Sequence, residues 1–177
     1  HNVAVGYGAM SAATGGYSNV MVGAYAGDAI TTGPLNVGVG YNACGTVVSG
    51  QENTGVGYQA LALTTVSDNT GIGAYAGDAL TTGANNVTIG HYSLSAATTA
   101  AGNVMVGGWA GDAVTAGAEN VGVGQHALGA LTTASYIVAV GAGALAANTT
   151  GVRQTAVGYN ALATVTTNGT NTAVGYE

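Results

Sequence analysis

The sequence predicts an all-β fold, a parallel β-solenoid of about ten 17-residue coils in which residues 1–177 form a single repeat domain. Three observations predict it. The motif Asn-Val-Ala-Val-Gly at residues 2–6 returns with small changes at residues 19–23, at residues 36–40 and onward along the chain. Apolar residues alternate within each motif, and the motif always ends in Gly. A unit this short buries no core alone, so stacked copies are required.

The first position of the unit is almost always Asn. Successive copies begin 17 residues apart, except that the copy from Asn53 is one residue shorter, and we expect the missing residue in a turn. Stacked Asn side chains form amide ladders that satisfy turn backbone, which predicts a structural role. The residues are Asn2, Asn19, Asn36, Asn53, Asn69, Asn86, Asn103, Asn120 and Asn171, with departures at Ile137 and Gln154.

The second and fourth positions hold β-branched residues in every copy. This alternation predicts a short strand, and its recurrence predicts a parallel sheet along the solenoid. We expect the Val/Ile side of the strand to face the core. The third position would then face outward, as an uncharged strip suited to an interface between subunits. The strip includes Ala4, Met21, Gly38, Thr88 and Met105.

The fifth position is Gly in all eleven motifs. A Gly at the same place in every copy indicates a turn with positive φ or a corner too tight for a Cβ atom. A phosphate-binding loop is excluded because neither a helix N-terminus nor a Lys follows. The structural glycines include Gly23, Gly40, Gly57, Gly73, Gly90, Gly107 and Gly124.

The second half of the unit holds Tyr or another large residue, an almost fixed Ala, an apolar residue and a Thr-Thr-Gly-like turn. A stretch this short does not distinguish a second strand from one helical turn, and we favour a strand. Cys44 occupies the apolar position, which predicts a small core residue instead of a reactive thiol. It is the only cysteine, so the chain forms no internal disulfide.

Three copies, at residues 24–29, 74–79 and 108–113, replace the apolar residue by Gly and shift the aromatic residue by one. We expect the shifted ring to fill the space that the missing Leu leaves. Each of these copies carries an acid, Asp28, Asp78 or Asp112. The acids are two or three coils apart, or about 10–14 Å, so one chain cannot bring two of them to one ion. Turn capping is the predicted role, and an ion shared on a trimer axis is the alternative.

Charged residues make up 5% of the chain, its only Lys or Arg is Arg153, and its net charge is −6. So few cations exclude binding to nucleic acid and to anionic membrane surfaces. No apolar run is long enough for direct insertion into a membrane. His1, His91 and His126 are isolated, and no Ser or Cys has a His and an acid at matching positions. The sequence therefore predicts no enzyme, no metal site and no cofactor.

The recurring Asn-Val-Ala-Val-Gly, with its variants Asn-Thr-Gly-Ile-Gly and Gln-Thr-Ala-Val-Gly, resembles the head repeats of YadA-type trimeric autotransporter adhesins. The whole unit, as at residues 158–162 and 171–176, looks even more like repeats of bacteriophage tail fibres. The resemblance covers essentially the entire chain. It implies a left-handed parallel β-roll, a homotrimer and attachment to surfaces. The adhesin repeat is somewhat shorter than this one, which puts the coil shape in doubt.

The predicted function is a structural or adhesive segment of a trimeric surface fibre, extracellular on a cell or virion, with an unidentified cell-surface or glycan receptor. Because the chain begins and ends partway through a repeat, we expect it to be a segment of a longer fibrous protein. A self-assembling extracellular filament is one alternative. Ice binding is another, suggested by pairs such as Thr31-Thr32. Candidate surface or glycan contacts are Tyr25, Tyr75, Tyr92 and Trp109.

Overall fold

The computed structural model describes residues 1–167 and 169–177, which form a β-solenoid with one short strand in each coil. The strands make a single 11-stranded sheet in chain order, and all neighbouring strands pair in parallel. No described residue lies in a helix. Positions 1 to 17 below count from the residue that opens each motif. The strands occupy positions 2 to 4 and are β1 (Val3–Val5), β2 (Val20–Val22), β3 (Val37–Val39), β4 (Thr54–Val56), β5 (Thr70–Ile72), β6 (Val87–Ile89), β7 (Val104–Val106), β8 (Val121–Val123), β9 (Val138–Val140), β10 (Thr155–Val157) and β11 (Thr172–Val174).

The repeat predicted from the sequence is confirmed by the strand register. Equivalent positions pair throughout, even where the coil is one residue short, as in the pairing of Thr54 with Thr70. The missing residue lies in the turn after position 13. The side-chain amide of Asn53 donates to the carbonyl of Val66, 13 residues on, whereas the other ladder asparagines reach 14 residues on. The shortened coil therefore loses a turn residue and keeps its strand in register.

Positions 5 to 12 form two consecutive tight turns. In one coil the Ala60 N–H donates to the Gly57 carbonyl at 3.4 Å, and the Thr64 N–H donates to the Leu61 carbonyl at 3.3 Å. The residues at positions 7 and 9 have positive φ, 54° at Gln59 and 52° at Leu61. Left-handed backbone at two alternate positions interrupts both a strand and a right-handed helix. The second strand favoured from the sequence is therefore wrong.

The two sides of the strand face opposite to the prediction. In β2 to β10 the residue at position 3 is buried, while positions 2 and 4 are exposed or half-buried. Met21 is fully buried, and its neighbour Val22 is 36% exposed. β-Branched residues favour extended backbone whichever side they face, so the alternation indicates a strand without saying which side is inside. The strip predicted to face outward is core, namely Met21, Gly38, Thr88 and Met105, with Ala4 of the end coil on the same side.

Core side chains compensate for the glycines at position 9. A Cβ atom on Gly27 would lie 2.7 Å from the sulfur of Met21, and one on Gly111 would lie 2.8 Å from the sulfur of Met105. In the remaining variant coil Leu80 fills the corresponding space, because a Cβ atom on the position 9 glycine of that coil would lie 3.0 Å from the Cδ1 atom of Leu80. The space left by the missing Leu is therefore filled from inside the coil. The prediction that the shifted aromatic rings fill it is wrong.

The predicted Asn ladder is confirmed. The Asn86 N–H donates to the side-chain oxygen of Asn69 at 3.0 Å, and the Asn86 side-chain amide donates to that oxygen at 3.1 Å. The same amide reaches across its own coil to the carbonyl of Ala100 at 2.9 Å. Each ladder side chain therefore bonds to a neighbouring coil and also links the beginning of its own coil to the end of that coil. The backbone part of the ladder runs unbroken from Asn2 to Ile137.

In the coil that opens at Ile137 the position 15 carbonyl has a different side-chain donor. Isoleucine has no side-chain amide that could donate a hydrogen bond to the carbonyl at position 15. Instead Asn148, at the usually apolar position 12, donates from its side chain to the Gly151 carbonyl at 2.9 Å and accepts from the Gly151 N–H at 2.9 Å. Ile137 and Asn148 are both buried. This coil has exchanged the polar and apolar residues at positions 1 and 12, and the position 15 carbonyl keeps a side-chain amide donor through a bond that spans only three residues.

The position 5 glycines form the tight corner that the sequence predicts. Their φ values lie between 129° and 150°, as at Gly73 and Gly175. A Cβ atom on Gly73 would lie 2.7 Å from the backbone oxygen of Gly90 in the next coil. Only glycine combines this backbone conformation with so close an approach of neighbouring coils.

Candidate functional site

The most uniform surface of the rod is the outer side of the sheet. We call the residues at positions 2 and 4 of β1 to β11 the Val/Ile face. All of them are Val, Ile or Thr, and none is charged. Val22 and Ile72, neither of which lies in an end coil, are 36% and 39% exposed. Parallel sheets normally have both sides covered, so a parallel sheet with one bare apolar side is unusual for an isolated chain.

Beside the Val/Ile face, across the glycine corner, lies an aromatic column. Each of the first eight coils places at least one ring at position 6 or 7, and neighbouring ring centroids are 4.4–5.9 Å apart. The column consists of Tyr7, Tyr25, Tyr41, Tyr58, Tyr75, His91, Tyr92, Trp109 and His126. A second, separate pair is formed by Tyr159 and Tyr176, 5.2 Å apart.

The four aromatic residues predicted as surface contacts all lie in this column. Tyr25, Tyr75, Tyr92 and Trp109 occupy position 7, where φ is positive. The sequence reasoning missed Tyr7, Tyr41 and Tyr58 because they stand one position earlier. Positions 6 and 7 lie at the same corner, so rings from either position meet. The signal was available, since every one of the first eight copies has Tyr, Trp or His at one of these two positions.

The rings pack in two geometries along the column. Tyr41 and Tyr58 are stacked with planes 12° apart, and Tyr75 and Tyr92 with planes 2° apart, whereas Tyr58 meets Tyr75 at 63°. Both arrangements are favourable for aromatic pairs. Tyr25, Tyr41 and Tyr58 are 38–46% exposed, whereas the predicted contacts Tyr75, Tyr92 and Trp109 are half-buried. The column is therefore a preorganised amphipathic surface with aromatic rings and phenol hydroxyls.

The acids of the three variant copies lie at position 10, half-buried. Burial raises the pKa of Asp78, and the nearby backbone N–H groups of Asp78 and Ala79 oppose that shift. Within the described residues the Oδ1 atom of Asp78 is buried and has no hydrogen-bond partner, so turn capping by these acids stays a prediction. Burial also raises the pKa of Asp112, and the charge of His126 opposes that shift. Within the described residues no three His, Cys, Asp or Glu side chains lie close enough together to hold a metal ion.

Cys44 is fully buried in the core, where the sequence places it. Burial raises the pKa of its thiol from the ordinary 9.0 to about 12. The reactive form of cysteine is the thiolate, so this thiol is inert in the folded chain.

Threonines at position 13 form a further ladder. The hydroxyl of Thr81 donates to the carbonyl of Thr98 at 2.9 Å, and that of Thr132 donates to the carbonyl of Thr149 at 3.1 Å. The residues at positions 13 and 14 lie in turns and bends outside the strands. These hydroxyls join coils together, and the Thr pairs do not form a flat strand surface. This geometry does not favour ice binding.

No helix able to cross a bilayer occurs among the described residues. Comparisons with protein-family models, with curated proteins and with solved structures give no match to this chain.

Proposed function

We propose that this chain is a structural and adhesive segment of a trimeric extracellular fibre, on a cell or virion surface, in which copies associate through the Val/Ile face. The observation that carries the proposal is the uniform, uncharged and partly exposed outer side of an 11-stranded parallel sheet. The number three and the attachment role rest on the resemblance to adhesin heads and tail fibres. The face itself supports association of copies.

The size of the face supports this proposal. Eleven strands of three residues cover roughly 500 Å², from the usual strand spacing and rise. Contiguous apolar patches of this size on soluble proteins commonly mark contact sites. With 5% charged residues, the chain also has little charge to keep bare apolar surfaces apart. Closed three-fold packing would cover the face and prevent unlimited lateral association.

The uniformity of the face supports copies of the same chain as the partner. A straight rod meets a parallel copy with the same coil spacing along its whole length, so each coil of the interface needs the same kind of residue. The Val/Ile face has this property in all eleven strands, while the other outer positions change from copy to copy. Such a segment would act as a stiff spacer about 48 Å long.

The experiment is the mass of the assembly by sedimentation equilibrium, with a matched pair of variants. The wild type is expected at three times the chain mass of 16.9 kDa. The double variant Val39→Lys/Val123→Lys places two charges on the Val/Ile face and is expected to sediment as a single chain. The control Thr99→Lys/Thr150→Lys places the same charges at exposed position 14 and should keep the wild-type mass.

A wild-type mass of one chain at high concentration would overturn the trimer. A mass that grows without limit as concentration rises would instead indicate the filament. Circular dichroism of each variant, compared with the wild type, separates loss of assembly from loss of fold.

A further inference from the structure

We propose that the aromatic column binds an extended, unbranched, uncharged polysaccharide that lies parallel to the rod. The inference deepens the adhesive half of the proposed function by giving the chemical class of its ligand. It rests on the geometry of the column and on the charge of the chain.

The spacing of the rings carries the first step. The coils repeat at the strand spacing of about 4.8 Å, and neighbouring centroids, such as those of Tyr41 and Tyr58, lie 5.2 Å apart. The rise per sugar of an extended β-1,4-linked hexose chain is close to this spacing. One sugar can therefore meet one coil, and a chain of sugars can stay in register over many coils. An extended peptide rises about 3.3 Å per residue and does not keep that register.

The chemistry of the column carries the second step. A pyranose ring has an apolar C–H side and a rim of hydroxyl groups. The column offers aromatic rings with phenol hydroxyls at the same interval, and Tyr25, Tyr41 and Tyr58 are 38–46% exposed. Amphipathic rings of this kind contact a surface that is apolar in one part and hydrated in another.

Charge carries the third step. The chain has a net charge of −6, and its single Arg or Lys, Arg153, lies outside the column. The column contains no Lys or Arg, and Asp112 lies beside its last residue, His126. Polyuronates and nucleic acids would therefore be repelled, and an uncharged chain would not.

The irregular outline of the column distinguishes it from the Val/Ile face. Rings stand at position 6 in some coils and at position 7 in others, and the coil after His126 has only Ala142 and Gly143 there. An interface between straight parallel copies calls for the same residue type in each coil, as the Val/Ile face provides. A column that stops within the rod, after His126, fits a ligand of limited length better than a second copy of the chain.

The experiment is isothermal titration with three soluble probes: cellohexaose, maltohexaose and a polyuronate. Cellohexaose is β-1,4-linked and extended, and we expect it to bind. Maltohexaose, with the same sugar in α-linkage, should bind at least about tenfold more weakly because it curls out of register, and the polyuronate should not bind.

Variants locate the site. Tyr41→Ala/Tyr58→Ala removes a stacked pair. It should weaken cellohexaose binding about tenfold, because two ring contacts of ordinary strength with the sugar are lost. The matched control, Tyr17→Ala/Tyr136→Ala, removes two tyrosines that are 57% and 59% exposed and lie outside the column, and it should change affinity less than about twofold. Tyr41→Phe/Tyr58→Phe keeps the rings and should retain most of the affinity.

Three results would overturn the inference: no cellohexaose binding by the wild type at millimolar concentration, equal losses in the column and control variants, or column variants that change the mass of the assembly while sugar binding persists. The last would assign the column to contacts between copies. Masses recorded on the same samples keep the two proposals separate. A trimer that does not bind sugar overturns only the ligand, and a single chain that binds it overturns only the trimer.

Discussion

The two sides of the same strands differ in how much their residues vary. On the inner side, position 3 ranges from Gly38 to Met21 and Thr88, because this position packs against position 9 of its own and adjacent coils. On the outer side, positions 2 and 4 stay Val, Ile or Thr in all eleven strands. In a stacked solenoid, variation therefore accompanies the core, where neighbouring coils compensate for one another. Uniformity is what a surface needs if it meets the same partner at every level, as we propose for the Val/Ile face.

The same substitution is expected to change the free energy of unfolding most differently at buried Asn86 and at its exposed neighbour Asn85. Asn86→Asp removes the side-chain donor to Asn69 and to Ala100 and places an acid in the core. We expect it to lower the free energy of unfolding by about 4 kcal/mol at neutral pH, since buried unpaired charges cost several kcal/mol. Asn85→Asp makes the same change outside and should stay within about 0.5 kcal/mol. Denaturant unfolding at equal chain concentration measures both, and equal effects would contradict the buried ladder.

A second comparison uses pH and the core thiol. Burial raises the pKa of Cys44 to about 12, while in the unfolded chain it stays near the ordinary 9.0. Below pH 9 both states are protonated and the thiol adds no pH dependence. Between pH 9 and 12 only the unfolded state loses its proton, so stability should fall by about 1.4 kcal/mol per pH unit, or roughly 3 kcal/mol by pH 11. Cys44→Ala serves as the control for ionisation of the tyrosines, and parallel pH profiles of the two proteins would contradict the prediction.

A third comparison sets the coil that opens at Ile137 against the ordinary coils. Asn148→Leu should cost about 2 kcal/mol, because the buried Gly151 N–H and carbonyl lose their side-chain partner. Adding Ile137→Asn restores the arrangement of the other coils and should recover most of that loss. A double-mutant cycle measures the coupling. Additive effects of the two changes would show that Ile137 and Asn148 do not compensate for each other.

The smallest expected effect is a gain. Within the described part of the chain the Thr64 hydroxyl is buried and has no hydrogen-bond partner. Thr64→Val keeps the shape and removes the unpaired group, so the free energy of unfolding should rise by about 1 kcal/mol. Thr65→Val, at an exposed position where the hydroxyl bonds the Thr81 carbonyl, should give no gain. A loss of stability in Thr64→Val would mean that this hydroxyl has a partner in solution.

Much of the architecture is predictable from the sequence, because in a stack of equal coils the neighbours of each position are the same position of the adjacent coils. The Asn ladder, the glycine corner and the core position of Cys44 all follow from what one position requires when equal coils lie above and below it. The turns of positions 5 to 12 do not follow in this way, because non-glycine residues such as Leu61 adopt positive φ there. Such residues disfavour that conformation by roughly 1–2 kcal/mol when considered alone. Hydrogen bonds between coils stabilise it, and local propensity contains no information about them.

The orientation of the strand was the main error, and the sequence contains a signal against it. Met occurs at position 3 only at Met21 and Met105, in two of the three coils that have Gly at position 9. Such a size exchange indicates that positions 3 and 9 share an interior. Alternation alone is symmetric between the two sides of a strand. The candidate surfaces could be predicted only in part. Four rings of the aromatic column were identified from the sequence, but the Val/Ile face was wrongly assigned to the core.

The most direct test of which side faces outward is thiol labelling at two neighbouring residues of β9, each changed to Cys in a Cys44→Ala background. Val138 is 37% exposed on the Val/Ile face, and Ala139 is fully buried. We predict that Ala139→Cys labels no faster than the chain unfolds at every protein concentration. Val138→Cys should label rapidly in dilute solution and more slowly as copies associate. Faster labelling at position 139 than at position 138 would place the Val/Ile face in the core and contradict both the orientation and the proposed interface.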